Sequence, residues 1–284
     1  MPELPEVETT RRGIAPHAVG RTIAAVEIHD SRLRWPVPES LPETLKGRTL
    51  TGLERRSKYL LFRCERAGVE QASDRVGTLL VHLGMTGSLR WYSADAAATP
   101  RRTHDHVDIR FENGAVLRYH DPRRFGAILW VGDPVAKHPL LAALGPEPFD
   151  PAWSAAMLHQ ALRTRSAAIK LALMDNHVVV GVGNIYANEA LFHAGIHPAR
   201  AANRVSLRRL GLLVDAVRST LTAAIAKGGS TLRDYVDSSG EPGYFQLDYF
   251  AYGRAGLPCR RCATPLRAIR QGGRATSYCP RCQK

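Results

Sequence analysis

The chain has 284 residues, 44% of them hydrophobic and 23% charged, with a formal net charge of +13. That composition excludes a disordered or collagen-like chain and gives room for two domains, each with its own core. Glu3, Glu6 and Glu8 interrupt any apolar leader, and no apolar run approaches the roughly 18 residues of a membrane helix. A soluble, intracellular protein with a polyanionic partner is therefore expected, with no role at a membrane.

The chain opens Met1-Pro2-Glu3-Leu4-Pro5-Glu6. A small residue at position 2 lets the initiator methionine be trimmed, which leaves Pro2 as a free secondary amine. Such an amine attacks an aldehyde or a sugar C1′ and forms an iminium that acts as an electron sink. Glu3 and Glu6 supply carboxylates nearby for general acid–base work. The same residues also suit a plain helix start, with proline in the first turn and acids at the positive end of the dipole. Residues 5–17 read as a short helix with Gly13 near its end.

Short β-type runs follow at 22–29, 59–64, 78–83, 106–111, 116–120 and 127–131, with Glu112-Asn113-Gly114 as a hairpin signal. Their regular spacing predicts a β-sandwich or barrel. Lys58 precedes one of these runs in a chain with only six lysines against 33 arginines, so a compact, titratable ammonium is kept where arginine is the habit. His82-Leu83-Gly84-Met85-Thr86-Gly87 and Asp121-Pro122-Arg123-Arg124-Phe125-Gly126 are turns. They carry Met85, Arg123 and Phe125, side chains suited either to packing or to a wedge that fills the gap left by an extruded base. His104-Asp105-His106 lacks an evident third metal ligand and reads as a phosphate contact or a structural pair.

Residues 132–151 hold five prolines and two glycines and read as a link between domains. After it the apolar period becomes helical at 152–163, 167–175, 184–194 and 207–226. Val178-Val179-Val180-Gly181-Val182-Gly183-Asn184 imitates a dinucleotide-binding turn. The third glycine position is Tyr186, however, and no acid ends a second strand about twenty residues on. What remains is a Gly-rich turn before a helix, where Asn184 either caps the helix or meets a phosphate. Residues 228–253 become Gly- and Ser-rich and read as a mobile loop.

Cys259-x2-Cys262 and Cys279-x2-Cys282, sixteen residues apart, match a tetrahedral Zn(Cys)4 ribbon. No catalytic ligand set accompanies them, so one structural Zn2+ is expected; two disulfides are the less fitting alternative. Cys64 reads as a buried strand residue. A hairpin tip between the knuckles presents Arg274, whose guanidinium can grip phosphate. The charge is concentrated on this side. Residues 1–150 carry 21 Lys+Arg and 19 Asp+Glu, a difference of +2, and residues 151–284 carry 18 and 7, a difference of +11.

Together and in order, Met1–Glu8, Lys58, Asp121–Gly126, Gly181–Ala187 and the four terminal cysteines resemble the bacterial formamidopyrimidine-DNA glycosylases. The resemblance spans residues 1–284. It implies an N-terminal catalytic β-sandwich domain at 1–131, a link at 132–151, a helix–two-turn–helix domain at 152–253 and a β-hairpin zinc finger at 254–284. The implied roles are Pro2 as Schiff-base nucleophile, Glu3 as proton donor in base excision, Lys58 as proton donor in β-elimination and Arg274 in δ-elimination. His104, Arg123, Arg165 and Asn184 are implied DNA contacts. Met85, Arg123 and Phe125 would fill the void in the duplex, and 231–252 would be a loop closing over an extruded purine. Arg165 stands where relatives often carry lysine, an exchange that keeps phosphate binding.

The implied partner is double-stranded DNA with oxidised bases, met by a cytoplasmic, nucleoid-associated monomer. Related endonuclease VIII enzymes share Pro2-Glu3 but typically carry Gly in place of Leu4, so the resemblance points to oxidised purines. Two other readings fit part of the chain. A zinc-ribbon DNA-binding module leaves Pro2, Glu3 and Lys58 idle, and a pyrimidine-specific lyase uses the same chemistry on other lesions.

Overall fold

A computed structural model of the chain describes residues 2–69, 71, 75–229 and 248–284. It divides into two compact units, one formed by 1–142 with 228–244 and the other by 143–227 with 245–284.

The first unit begins with α1 (Leu4–Ala18). Pro5 sits in its first turn, where a missing N–H costs nothing. The helix expected at 5–17 is present and one residue longer at each end, running past Gly13 and through Pro16 to Ala18. Arg11 and Arg12 are thereby mid-helix and pair with Glu8 at i+3 and i+4. Beyond it lie β1 (Ile23–Ile28), α2 (Leu41–Leu45), β2 (Thr49–Arg56), β3 (Tyr59–Glu65) and β4 (Val76–His82). Then come β5 (Ser88–Tyr92), β6 (Asp105–Phe111), β7 (Val116–His120) and β8 (Ala127–Val131).

Among the described residues these strands form two four-stranded antiparallel sheets, β1-β6-β7-β5 and β2-β3-β4-β8. The expected sandwich is present. Inward side chains such as Leu60, Phe62, Leu79, Val81, Ile109 and Leu117 make one core between them. β2 and β5 were not anticipated. The run of β2 contains Gly52 at a register shift and ends in three charged residues, which masks its alternation. Glu112–Gly114 turns between β6 and β7, with Gly114 at φ +83°. Cys64 is buried on β3, and burial pushes its thiol up to about 12.

The second unit takes up residues 143–151 of the proline-rich stretch, and hydrogen bonds tie them to it. The Pro146 carbonyl accepts the Val180 N–H, and Gly145 N–H donates to the Asn176 carbonyl. A short helix α3 (Pro139–Ala142) lies within that stretch, at the end of the first unit's 1–142 segment. Four helices follow: α4 (Ala155–Leu162), α5 (Ile169–Leu173), α6 (Asn184–His193) and α7 (Leu207–Ala226). The buried face of α7 runs Leu210, Leu213, Val214, Val217, Leu221, Ala224, a helical spacing that packs on α4 and α6. Val178–Val182 are buried but form turns rather than the strand their composition suggests. The chain ends in the hairpin β9 (Arg267–Gln271) and β10 (Arg274–Tyr278). The expected loop at 231–252 lies, as far as residue 247, outside the described residues. No helix among the described residues is long and apolar enough to cross a membrane.

Candidate active site and metal centre

Pro2 and Glu3 are buried immediately ahead of α1. Glu3 is the N-cap residue, and its backbone N–H donates to Glu6 Oε2 at 2.8 Å. Glu6 is fully buried and so works as a cap that fixes the backbone of Glu3. Its side chain also lies where a Cβ on Gly229 would come within 3.0 Å.

Lys58 sits on the two-residue turn between β2 and β3, where Arg56 faces Tyr59 and Ser57 takes φ +56°. A relay from α1 holds that turn. Glu8 accepts from Arg55 Nε at 3.3 Å, and Arg55 Nη1 donates to the Ser57 carbonyl at 2.9 Å. Burial raises the Glu8 carboxyl, but bonds from Arg11 and Arg12 with the charge of Arg55 outweigh it and keep it below its ordinary value. An ionised Glu8 is what the relay requires. His82, whose ring lies tilted against Tyr59 at 4.9 Å, is pushed down to about 4 by burial and by the charges of Lys58 and Arg34. It is therefore neutral at physiological pH and adds no positive charge beside Lys58.

The two anticipated turns meet. Thr86 Oγ1 donates to Asp121 Oδ1 at 2.6 Å, and Asp121 Oδ2 accepts from Gly126 N–H at 2.9 Å and Tyr119 Oη at 3.3 Å. Asp121 is fully buried and organises the whole 121–126 turn. Burial raises the Tyr119 hydroxyl well above its usual value, so it stays a neutral donor. The turn leaves Phe125 43% exposed, with the Arg123 guanidinium 4.8 Å over its ring. Met85 is half-buried on the facing turn. His104 is exposed at φ +74°, and its carbonyl accepts the Asp121 N–H at 3.0 Å. Met85, His104, Arg123 and Phe125 are thus brought together around one buried carboxylate.

In the second unit, Arg274 is exposed at the start of β10, after a tight turn through Gly272 at φ +53° and Gly273 at φ +76°. The hairpin is docked by a residue the sequence did not single out. Lys170 on α5 is wholly buried, and its Nζ donates to Asn184 Oδ1 (2.6 Å), Thr276 Oγ1 (2.6 Å) and the Ala275 carbonyl (3.2 Å). Asn184 Nδ2 adds a bond to the same carbonyl. Asn184 does not cap α6, because Gly183 holds that position. Arg165 lies in an ion pair with Asp175 at 2.5 Å. The rarity of lysine that flagged Lys58 was a usable signal for Lys170 as well.

The four cysteines converge as expected. Their sulfurs all lie within 4.8 Å of one another, with Cys262–Cys282 at 3.4 Å, Cys262–Cys279 at 3.5 Å and Cys259–Cys282 at 4.0 Å. A tetrahedral Zn–S shell with bonds of ~2.3 Å spaces its sulfurs ~3.8 Å apart, whereas a disulfide requires ~2.05 Å. Arg261 N–H and Cys282 N–H point at Cys259 Sγ and Cys279 Sγ, both at 3.4 Å, and stabilise thiolates. The set fits one zinc ion with every ligand position filled by sulfur, which makes the ion structural.

Comparison with known proteins matches three family models along the chain. Residues 1–128 match the formamidopyrimidine-DNA glycosylase N-terminal domain and residues 144–236 its H2TH domain. Residues 256–284 match the zinc finger found in FPG and IleRS. The formamidopyrimidine-DNA glycosylase of Methylococcus capsulatus is 56% identical over 284 residues, covering all of both chains. Among solved structures, the MutM (FPG) protein of Thermus thermophilus is 37% identical with a TM-score of 0.84, covering 99% of this chain and 98% of that one. A Lactococcus lactis FPG mutant in complex with a Fapy-dG containing DNA is 34% identical with a TM-score of 0.88, with both chains fully covered. With its N-terminal domain, its H2TH domain and its four-cysteine finger all matched, the chain belongs to the formamidopyrimidine-DNA glycosylase family of DNA-repair proteins.

Proposed function

We propose that this protein is a bifunctional DNA glycosylase and AP lyase of base excision repair that removes oxidised purines from duplex DNA as a monomer. The observation that carries the reading is the buried Pro2-Glu3 pair, with the Glu3 backbone fixed by Glu6 at the start of α1. The printed substrate of the Lactococcus lactis complex, Fapy-dG in DNA, supports the lesion class.

With Met1 removed, Pro2 carries a secondary amine. An α-amino group titrates near ~7.7–8.0, and a helix N-terminus disfavours further positive charge, so neutral amine is available at pH 7. The Pro2 nitrogen bonds to C1′ as the bond from C1′ to the base breaks. Glu3 delivers the proton that opens the sugar, the departing base takes up its own proton, and loss of the amine proton completes the iminium. The iminium acidifies C2′. Loss of that proton breaks the C3′–O bond, and a second elimination breaks the C5′–O bond. Lys58, on its relay-held turn, serves the first elimination, and Arg274 serves the second. His104, Arg123, Arg165 and Asn184 hold phosphates, while Met85, Arg123 and Phe125 occupy the space of the extruded nucleotide, offsetting an unstacking cost of a few kcal/mol.

Borohydride trapping on duplex DNA with one 8-oxoguanine opposite cytosine, followed by mass spectrometry of the N-terminal peptide, tests this. A covalent adduct on Pro2 is expected. Pro2→Gly should greatly reduce both trapping and strand cleavage, and Glu3→Gln should bind normally while excising ~10²–10⁴-fold more slowly. Tight binding with no adduct, on this duplex and on an abasic-site control, would leave only a DNA-binding module. Trapping on thymine glycol alone would move the specificity to pyrimidines.

A further inference from the structure

Beside the 121–126 turn the first unit contains a cavity of about 430 Å³ whose walls include His29, Asp30, Arg101, Arg102, His104 and Arg124. Its floor is the end of β1, where the His29 and Asp30 N–H groups both donate to the His106 carbonyl. Its rim is the segment leading into β6. That segment is fixed by Arg102 N–H to Asp105 Oδ2 at 2.7 Å, by Asp105 N–H to the Arg102 carbonyl, and by the left-handed turn at His104. Arg124, at φ +57°, closes the side.

The charge in this cavity is unbalanced. Three guanidiniums, Arg101, Arg102 and Arg124, face two carboxylates, Asp30 and Asp105. Both carboxylates are already committed. Asp30 accepts two bonds from the Arg32 guanidinium at 2.9 Å and pairs with Arg124 at 2.8 Å. Asp105 pairs with His120 at 2.8 Å, Arg102 at 3.4 Å and Arg118 at 3.8 Å. Counting Arg32 and Arg118, together with Asp108, which Arg118 holds at 2.8 Å, five arginines stand against three acids, a surplus of two charges. Arg101 is exposed at the mouth and makes no hydrogen bond or ion pair among the described residues. A surplus of cations with one guanidinium uncommitted suits an anion that accepts forked hydrogen bonds.

We propose that this cavity is a phosphate subsite, with Arg101 its principal donor, that takes a backbone phosphate of duplex DNA beyond those gripped through Arg123. The commitment to DNA rests on the repair reading above and on continuity, because the cavity shares His104 with the expected DNA contacts and Arg124 with the turn that carries Arg123 and Phe125. A phosphate bound here adds affinity that is independent of the lesion and sensitive to salt.

The full-length, zinc-loaded protein tests this by equilibrium binding to a duplex with a stable abasic-site analogue across a series of KCl concentrations. Arg101→Ala should make the slope of log K against log [KCl] shallower by ~0.9, the loss of one phosphate contact. Arg101→Lys should retain most of the slope, and trapping yield in low salt at saturating DNA should be the same for all three proteins. Methylphosphonate substitution, one phosphate at a time, should reveal one position that weakens the wild type and leaves Arg101→Ala unaffected. An unchanged slope in Arg101→Ala, or no position that distinguishes the two proteins, overturns the proposal. A third arm titrates inorganic phosphate against the His104 imidazole NMR signal. Saturable binding there that is lost in Arg101→Ala, with the DNA slope unaltered, assigns the cavity to free phosphate and also overturns it. Wild-type protein that fails to bind the duplex at all defeats the repair reading instead, so the two failures are distinct.

Discussion

Gly84 is pressed against the backbone of Phe125. A Cβ at position 84 would stand 2.5 Å from the Phe125 carbonyl carbon and 2.6 Å from the Gly126 nitrogen, and the residue also takes φ +62°. Backbone cannot rotate away as a side chain can, so the Met85 turn and the Arg123–Phe125 turn keep their spacing only with glycine here. Gly84→Ala should destabilise the protein by ~1–3 kcal/mol and weaken binding to lesion duplex more than tenfold. Urea unfolding and fluorescence titration measure the two effects. Gly132→Ala, where no atom lies within 4 Å of the added carbon, is the control and should change neither.

Lys170 should be as sensitive as a residue in an apolar core. Lys170→Met keeps the volume but removes the ammonium that Asn184, Ala275 and Thr276 share. Leaving buried acceptors without this donor costs ~1–3 kcal/mol each at most, and less where water enters. Faster amide exchange at Ala275–Ser277 is expected, together with a lower unfolding midpoint and slower δ-elimination through a displaced Arg274. Lys227→Met, which breaks only an exposed pair with Asp248, should stay within ~1 kcal/mol of wild type.

Much of this fold was legible because its signals are local. The β6–β7 hairpin is written in Asn113-Gly114, the zinc ribbon in the spacing of four cysteines, and α7 in a helical period over twenty residues. The misses share a different cause. β2 is recognisable only once β3 pairs with it, because Gly52 and its charged end disguise a strand. Asp121 and Lys170 owe their roles to partners 35 and 106 residues away, a separation that no local pattern encodes.

Zinc should be required by the ribbon alone. The segment is too short for a core of its own, and its cluster of Phe192, Ala251, Leu266 and two cysteines closes around the metal ligands. Removal with a strong chelator should release one zinc per chain and raise amide exchange throughout 254–284. The strands of the sandwich should remain protected. Cys262→Ser should reproduce the effect without chelator.

Acid below about pH 4 should weaken the α5–α6 region modestly. Burial raises the Asp175 carboxyl, but the His177 N–H, the Arg165 guanidinium and the His177 ring together bring it down to about 2. A folded-state value below the ordinary 3.8 means the contribution is complete above about pH 4 and is lost as pH falls toward 2. Solvent access to the pair keeps it modest. Asp175→Asn should therefore be less stable than wild type at pH 5, with the gap closing by pH 2, as measured by urea midpoints at each pH.

The docking of β9–β10 on Lys170 also equips the molecule with an internal gauge. Only six lysines are present, and Lys170 is wholly enclosed while Lys58 sits half-open on its turn. An amine-selective acylating reagent should label Lys58 promptly and spare Lys170 for as long as the hairpin stays seated. The ratio of the two labelled peptides then reads out hairpin seating in the chain as it stands before the reagent is added, without a fluorophore or a crystal.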